Sequence, residues 1–143
     1  MSHLAFVYGS LKQGFPNTRV NAGLRIPGAF RTRELLPMYL LGTGHVPCLV
    51  LAPGIGHHVH GEVYEVDEAA LVAMDRLERL GEADGYARVQ IQVEAVGSEP
   101  PSVLTVSVYA RSLEQVAAES QRIGPLPEYT HAHAKLLVWQ GAA

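Results

Sequence analysis

The chain has 143 residues, 48% of them hydrophobic and 17% charged, with a net charge of −3 when histidine is neutral. That length predicts one domain, residues 1–143, with a core large enough to fold without disulfides or a structural metal. The composition excludes a disordered or fibrous chain, and a mildly acidic balance with no basic block excludes binding through a nucleic-acid backbone.

Leu4–Tyr8 follows no basic stretch and stops at Gly9, so it reads as a buried strand and not as a secretory leader. No window approaches the length of apolar chain that crosses a membrane, so a cytoplasmic location without a membrane partner is expected. Ile26–Leu36, interrupted by Pro27 and Gly28, can hold a second strand. Met38–Leu41 and Cys48–Ala52 read as short strands bounded by Pro37, Pro47 and Pro53. Over Val59–Val66, Val59, Gly61, Val63 and Glu65 face one way and His60, Glu62, Tyr64 and Val66 the other. Asp67 can cap a helix that the row Leu71, Met74, Leu77 and Leu80 carries to about Leu80, with Gly81 as the stop.

Val89, Ile91, Val93 and Ala95 alternate with Gln90, Gln92 and Glu94, the pattern of a half-buried strand. A loop at Ser98–Pro101 and a β-rich run at Val103–Tyr109 follow. Ser112-Leu113-Glu114-Gln115 has the capping-box pattern of a second helix reaching about Arg122, ended by Gly124-Pro125-Leu126-Pro127. His131–Trp139 fits a helix or a strand. Strands outnumber helices and do not alternate regularly with them, which favours an α+β fold over a doubly wound sheet.

Several motifs bear on chemistry. Gly9 and Gly14 are spaced as in a nucleotide phosphate loop, but Phe15 and Pro16 stand where that loop needs Lys and Ser or Thr. What survives is a tight turn after a strand. It is either an ordinary strand end or a set of backbone N–H groups aimed at an anion, with Lys12 adding favourable potential. Glu78 follows Leu77 at the margin of the apolar helix face. It is either part of a solvated helix end, paired with Arg76 or Arg79, or a partly desolvated carboxylate with a raised pKa, suited to carry protons.

The seven histidines, among them His57, His58, His60, His131 and His133, raise a metal site as an alternative. No recognised ligand spacing accompanies them, so solvent-facing strand and loop histidines are expected and no metal is. Cys48, the single cysteine, lies in an apolar run and reads as a buried small hydrophobe. It excludes an intrachain disulfide and fits a reducing compartment. Ser10 lacks the glycines of a nucleophile elbow.

Four ordered blocks carry a family resemblance. They are Phe6-Val7-Tyr8-Gly9-Ser10-Leu11-Lys12 with Gly14 and Pro16-Asn17; Pro47 and Leu49 with Pro53-Gly54; Gly61–Asp67; and Asp75-x-Leu77-Glu78 followed by Tyr86-x-Arg88. Over about Phe6 to Tyr109 the chain resembles the γ-glutamylcyclotransferase-like superfamily, and within it the γ-glutamylamine cyclotransferases and their bacterial relatives. The resemblance implies a small mixed β-barrel flanked by helices, with a cavity at one end. It implies that Glu78 is the acid/base carboxylate and that the N–H groups of Gly9, Ser10 and Leu11 hold the substrate's α-carboxylate. Tyr8, Tyr86 and Tyr109 would line the pocket.

The implied reaction turns a small-molecule γ-glutamyl substrate into 5-oxoproline and an amine, with no cofactor. The alternative is a non-catalytic protein that binds a small carboxylate on the same fold, which pairing of Arg79 with Glu78 would favour. Many relatives have Gly where this chain has Arg79 directly after the glutamate. The last thirty residues align with nothing in the family pattern.

Overall fold

The apolar runs between Gly and Pro become strands β1 (Ser2–Val7), β2 (Leu24–Arg25), β3 (Phe30–Thr32), β4 (Met38–Leu41), β5 (Val46–Val50), β6 (His60–Asp67), β7 (Ala87–Ala95), β8 (Val103–Arg111) and β9 (Arg122–Ile123). The helices are α1 (Glu68–Leu77), α2 (Leu113–Ala117) and α3 (His131–Ala134). This computed structural model describes residues 2–15, 23–83 and 85–137. Pro16, Asn17, Asp84 and Trp139 lie outside the described residues.

The strands form one sheet in the order β1-β6-β3-β7-β8-β5-β4-β9, with β2 added on β6. A parallel pairing of Ala5 in β1 with Ser107 in β8 joins the path back to its start. The strands β1, β6, β3, β7 and β8 thus form a ring closed by this residue pair. Because β5 also runs parallel to β8 while the other pairings are antiparallel, the sheet is mixed, and the α+β class holds.

Residues Phe6, Val7, Val63, Val93, Val106 and Val108 belong to one buried core. β7 keeps the expected alternation, with Gln90 and Gln92 exposed. β6 does not. Gly61 and Val63 are buried, but so are Tyr64 and Val66, while Glu65 is exposed. The covered face changes along the strand because α1 folds back on the end of β6 and on β1. At Gly61 the strands approach so closely that an added Cβ would collide with the Phe6 ring and the Val7 carbonyl.

Asp67 caps α1 as expected, its Oδ1 accepting from the Ala70 amide at 2.8 Å. The helix stops at Leu77, three residues short of the expected end. Arg79 N–H donates to Arg76 O at 3.2 Å and Leu80 N–H to Asp75 O at 3.0 Å, the two bonds of a Schellman ending. The left-handed residue in that motif is Arg79, with φ 56°, and Gly81 lies in the next turn.

The Ser112–Gln115 capping box forms in full, yet α2 ends at Ala117 and not near Arg122. Arg122–Ile123 instead pairs with Leu40–Leu41 as β9, which covers the edge of β4. For His131–Trp139, whose conformation the sequence leaves open, the described part begins as α3, capped by Thr130.

Candidate active site

β1 carries Tyr8 into the core and ends in a turn closed by Lys12 N–H donating to Gly9 O at 3.1 Å. Ser10 and Leu11 occupy its two central positions. Tyr8, Ser10 and Leu11 are completely buried, and Gly9 is buried with them. The Tyr8 hydroxyl donates to Tyr109 O at 2.8 Å and accepts from Leu49 N–H at 2.9 Å, so it pins the start of the turn between β8 and β5.

The Schellman ending places Glu78 at the C-cap of α1, completely buried and not at the margin that the helical spacing suggests. The loop after it returns at once, and Tyr86 N–H donates to Glu78 O at 3.0 Å. Gly85 allows that return, because any Cβ there would overlap the Arg79 carbonyl oxygen. The Tyr86 hydroxyl donates to Pro47 O at 2.6 Å, and the Arg111 guanidinium lies 4.5 Å from the Tyr86 ring centre. One helical turn before Glu78, Asp75 accepts from the Tyr109 hydroxyl at 2.5 Å and lies 3.5 Å from Arg88 Nε.

These groups sense one another. Burial raises the pKa of Tyr8, Tyr86 and Tyr109, and the negative charge of Glu78 adds to the rise in all three. Arg111 opposes the shift at Tyr8 and Tyr86, and Arg88 opposes it at Tyr109, where the bond to Asp75 is the second cause of the rise. Four residues singled out from sequence, Tyr8, Glu78, Tyr86 and Tyr109, thus share one buried cluster, with the Gly9–Leu11 turn directly after the first of them. Cys48 is buried beside them, and burial pushes its thiol up to about 12, as a small core residue requires.

Sequence reasoning overlooked Arg111 and the clamp that Asp75 makes with Tyr109 and Arg88. The signal for Arg111 was its place two residues after Tyr109, which puts both on one face of β8. Arg111 also lines a cleft of about 390 Å³ with Leu41, Ala83, Gln115, Ala118 and Glu119. Gln115 Nε2 donates to Ala83 O at 3.3 Å and to Gly85 O at 3.2 Å, so α2 holds the loop that follows Glu78.

Lys12 does not simply add potential at the turn, because its Nζ donates to Tyr129 O at 2.6 Å. Arg79 makes an exposed ion pair with Glu82 at 3.3 Å. The histidines have structural contacts: His58 Nδ1 lies 2.9 Å from Thr32 O, His133 completes the Thr130 capping box, and His131 stacks on Phe15. Among the described residues no group of three or more His, Cys, Asp or Glu is placed to hold a metal ion. Among the described residues no helix is long and apolar enough to cross a membrane.

The geometry defines an α+β protein with a buried carboxylate among buried tyrosines, the first of which leads from a strand of the sheet ring into a backbone turn. Residues 5–129 match the family described as gamma-glutamyl cyclotransferase, AIG2-like, and the chain belongs to that family. It is 43% identical over 101 residues to a gamma-glutamylaminecyclotransferase of Bos taurus, a match covering 67% of this chain and 59% of the relative. The chain therefore spans about six-tenths of that relative. Against the human protein of the same name it is 38% identical over 122 residues, covering 76% of this chain and 78% of the other. The crystal structure of a mouse AIG2-like protein superposes with a TM-score of 0.74 at 32% identity, over 90% of this chain and 88% of that one.

Proposed function

We propose that the chain is a γ-glutamyl cyclotransferase that converts a γ-glutamyl amine or γ-glutamyl amino acid to 5-oxoproline and the released amine. The names of its relatives support the class. The observation that carries the reading in this chain is the complete burial of Glu78 among Tyr8, Tyr86 and Tyr109, next to the Gly9–Leu11 turn.

The substrate brings both reactants. Its α-nitrogen attacks its own γ-carbonyl carbon, the ring C–N bond forms, and the bond to the leaving nitrogen breaks. The α-ammonium gives up two protons, one before attack and one as the ring closes. Glu78 carries them in turn to the leaving nitrogen, which departs as an ammonium ion. Water is not consumed.

The N–H groups of Gly9, Ser10 and Leu11 hold the α-carboxylate and fix the chain of the substrate in its folded, reactive shape. Orientation of this kind supplies roughly 7–11 kcal/mol of a barrier, more than the ~10²–10⁴-fold of a positioned acid/base. The larger share therefore falls to the turn and the pocket walls. A shuttle has to exchange its proton near neutral pH. Its buried thiol fits a cytoplasmic setting.

The test is release of 5-oxoproline by the purified protein from a panel of γ-glutamyl amines and γ-glutamyl amino acids. Turnover of at least one is the expected result. Calorimetric binding of those compounds with no 5-oxoproline formed would overturn the reading in favour of a carboxylate-binding protein.

A further inference from the structure

Lys12 is 5% exposed, although an ammonium group loses strong hydration on burial. Its Nζ donates to Tyr129 O at 2.6 Å and lies 4.4 Å from the centre of the Phe15 ring. Burial lowers its pKa, and the charges of Glu128 and Glu62 oppose that shift. The same residue closes the Gly9–Lys12 turn through its backbone, and its carbonyl accepts from Phe15 N–H at 3.0 Å.

The segment that Lys12 reaches is anchored at both of its ends. His60 N–H of β6 donates to Pro127 O at 2.8 Å. Further on, the His131 ring stacks on Phe15 with centres 4.1 Å apart and planes within 12°, and the Tyr129 ring lies 5.7 Å from Phe15. Residues 127–133 thus cross the outside of the loop that follows the turn. A buried ion that served stability alone could be exchanged for an apolar side chain at little loss. A buried ammonium that bridges a ligand-holding turn to a remote backbone carbonyl does something an apolar chain cannot.

We infer that Lys12 is a positioning residue for substrate: through the Tyr129 carbonyl it locks the Gly9–Lys12 turn against residues 127–133, so that the turn's N–H groups are aligned before the carboxylate arrives. The inference rests on the proposed reaction.

Lys12→Met keeps the stem and removes the donor. It should raise KM for a γ-glutamyl substrate about tenfold or more, the equivalent of one charge-assisted hydrogen bond, and leave kcat within about threefold. Amide hydrogen exchange should quicken together in residues 9–15 and 127–134 and not in β7 and β8. Val93→Ala, a core truncation in β7 away from the turn, should lower Tm without changing KM. An unchanged KM in Lys12→Met, or a KM that rises equally in Val93→Ala, overturns the inference.

If Lys12→Met does not fold, Phe15→Leu decides. It leaves the ammonium but removes the ring stack on His131, and KM should rise about threefold, as for one aromatic pair; no rise overturns the inference. If the wild type turns nothing over, the proposed reaction has failed, and the exchange experiment alone decides whether Lys12 locks the turn.

Discussion

The two halves of the site are built in opposite ways. The backbone of Glu78 is placed mostly by local bonds: its own N–H donates to Met74 O, the next two amides to Arg76 O and Asp75 O, and the loop back to Tyr86, which Gln115 holds, spans only seven residues. The Tyr8–Lys12 turn closes on itself through one bond and depends otherwise on remote partners. Tyr8 reaches Leu49 and Tyr109, and Lys12 reaches Tyr129. A locally built end puts its chemistry in one side chain. An end built from backbone tolerates side-chain change and is sensitive to whatever removes an N–H or slackens a distant anchor. Substitutions on each half should therefore fail in different ways.

The largest effect is expected at the helix end. Glu78→Gln keeps size and polarity but cannot carry a proton, so turnover should fall roughly 100-fold to 10,000-fold while the affinity for substrate changes little. A parallel loss of affinity, by calorimetry, would mean that the carboxylate holds substrate and the two halves do not divide the work.

At the turn the contrast reverses. Ser10 occupies the first central position, where proline fits the backbone of common turns. Ser10→Pro removes an N–H and should weaken binding about tenfold or more, whereas Ser10→Ala, which keeps it, should stay within about threefold. Equal affinities for the two folded variants would count against a backbone site.

Tyr8→Phe tests the remote anchors. It leaves Leu49 N–H and Tyr109 O without their buried partner, and chemical denaturation should show a loss of about 2–4 kcal/mol.

Alkaline pH should loosen the fold. Cys48, Tyr64 and Tyr129 are pushed up to about 12, chiefly by burial, and Tyr8, Tyr86 and Tyr109 are raised by the same cause. The folded protein keeps these protons where the unfolded chain releases them. The contribution to stability is whole below about pH 8.5 and declines from there as an unfolded thiol and then, near 10, the unfolded phenols ionise; for Cys48, Tyr64 and Tyr129 it is lost as the pH rises through about 12. Denaturation midpoints measured from pH 7 to 11 should fall monotonically above about pH 8.5, and a flat profile would contradict the burial of these groups.

The smallest effect belongs to Arg79. A left-handed backbone costs a side-chain-bearing residue roughly 1–2 kcal/mol, and glycine escapes that strain but loses more entropy on folding. The ion pair with Glu82 is exposed and contributes little. Arg79→Gly should raise stability by up to about 1 kcal/mol and leave turnover within a few-fold. A clear drop in turnover would show that the guanidinium takes part in the site.

What the amino-acid order determined by itself is local and short in range. The apolar run into Tyr8, the Asp67 cap, the Ser112–Gln115 box and the alternation of β7 each need only neighbours within a few residues, and all of them formed. The position of Glu78 at the end of α1 is local in the same way, although its full burial exceeds what helical spacing allows.

Tertiary structure decided whatever depends on which distant segments meet. It closed β1 on β8, turned Arg122–Ile123 into a strand because β4 had an open edge, and moved the covered face of β6 under α1. It set Arg111 over Tyr86 and buried the Lys12 ammonium under a carbonyl 117 residues away. Periodicity and capping are properties of a window of chain, whereas these pairings depend on shape and on unpaired backbone groups elsewhere in the fold, and no window contains both partners.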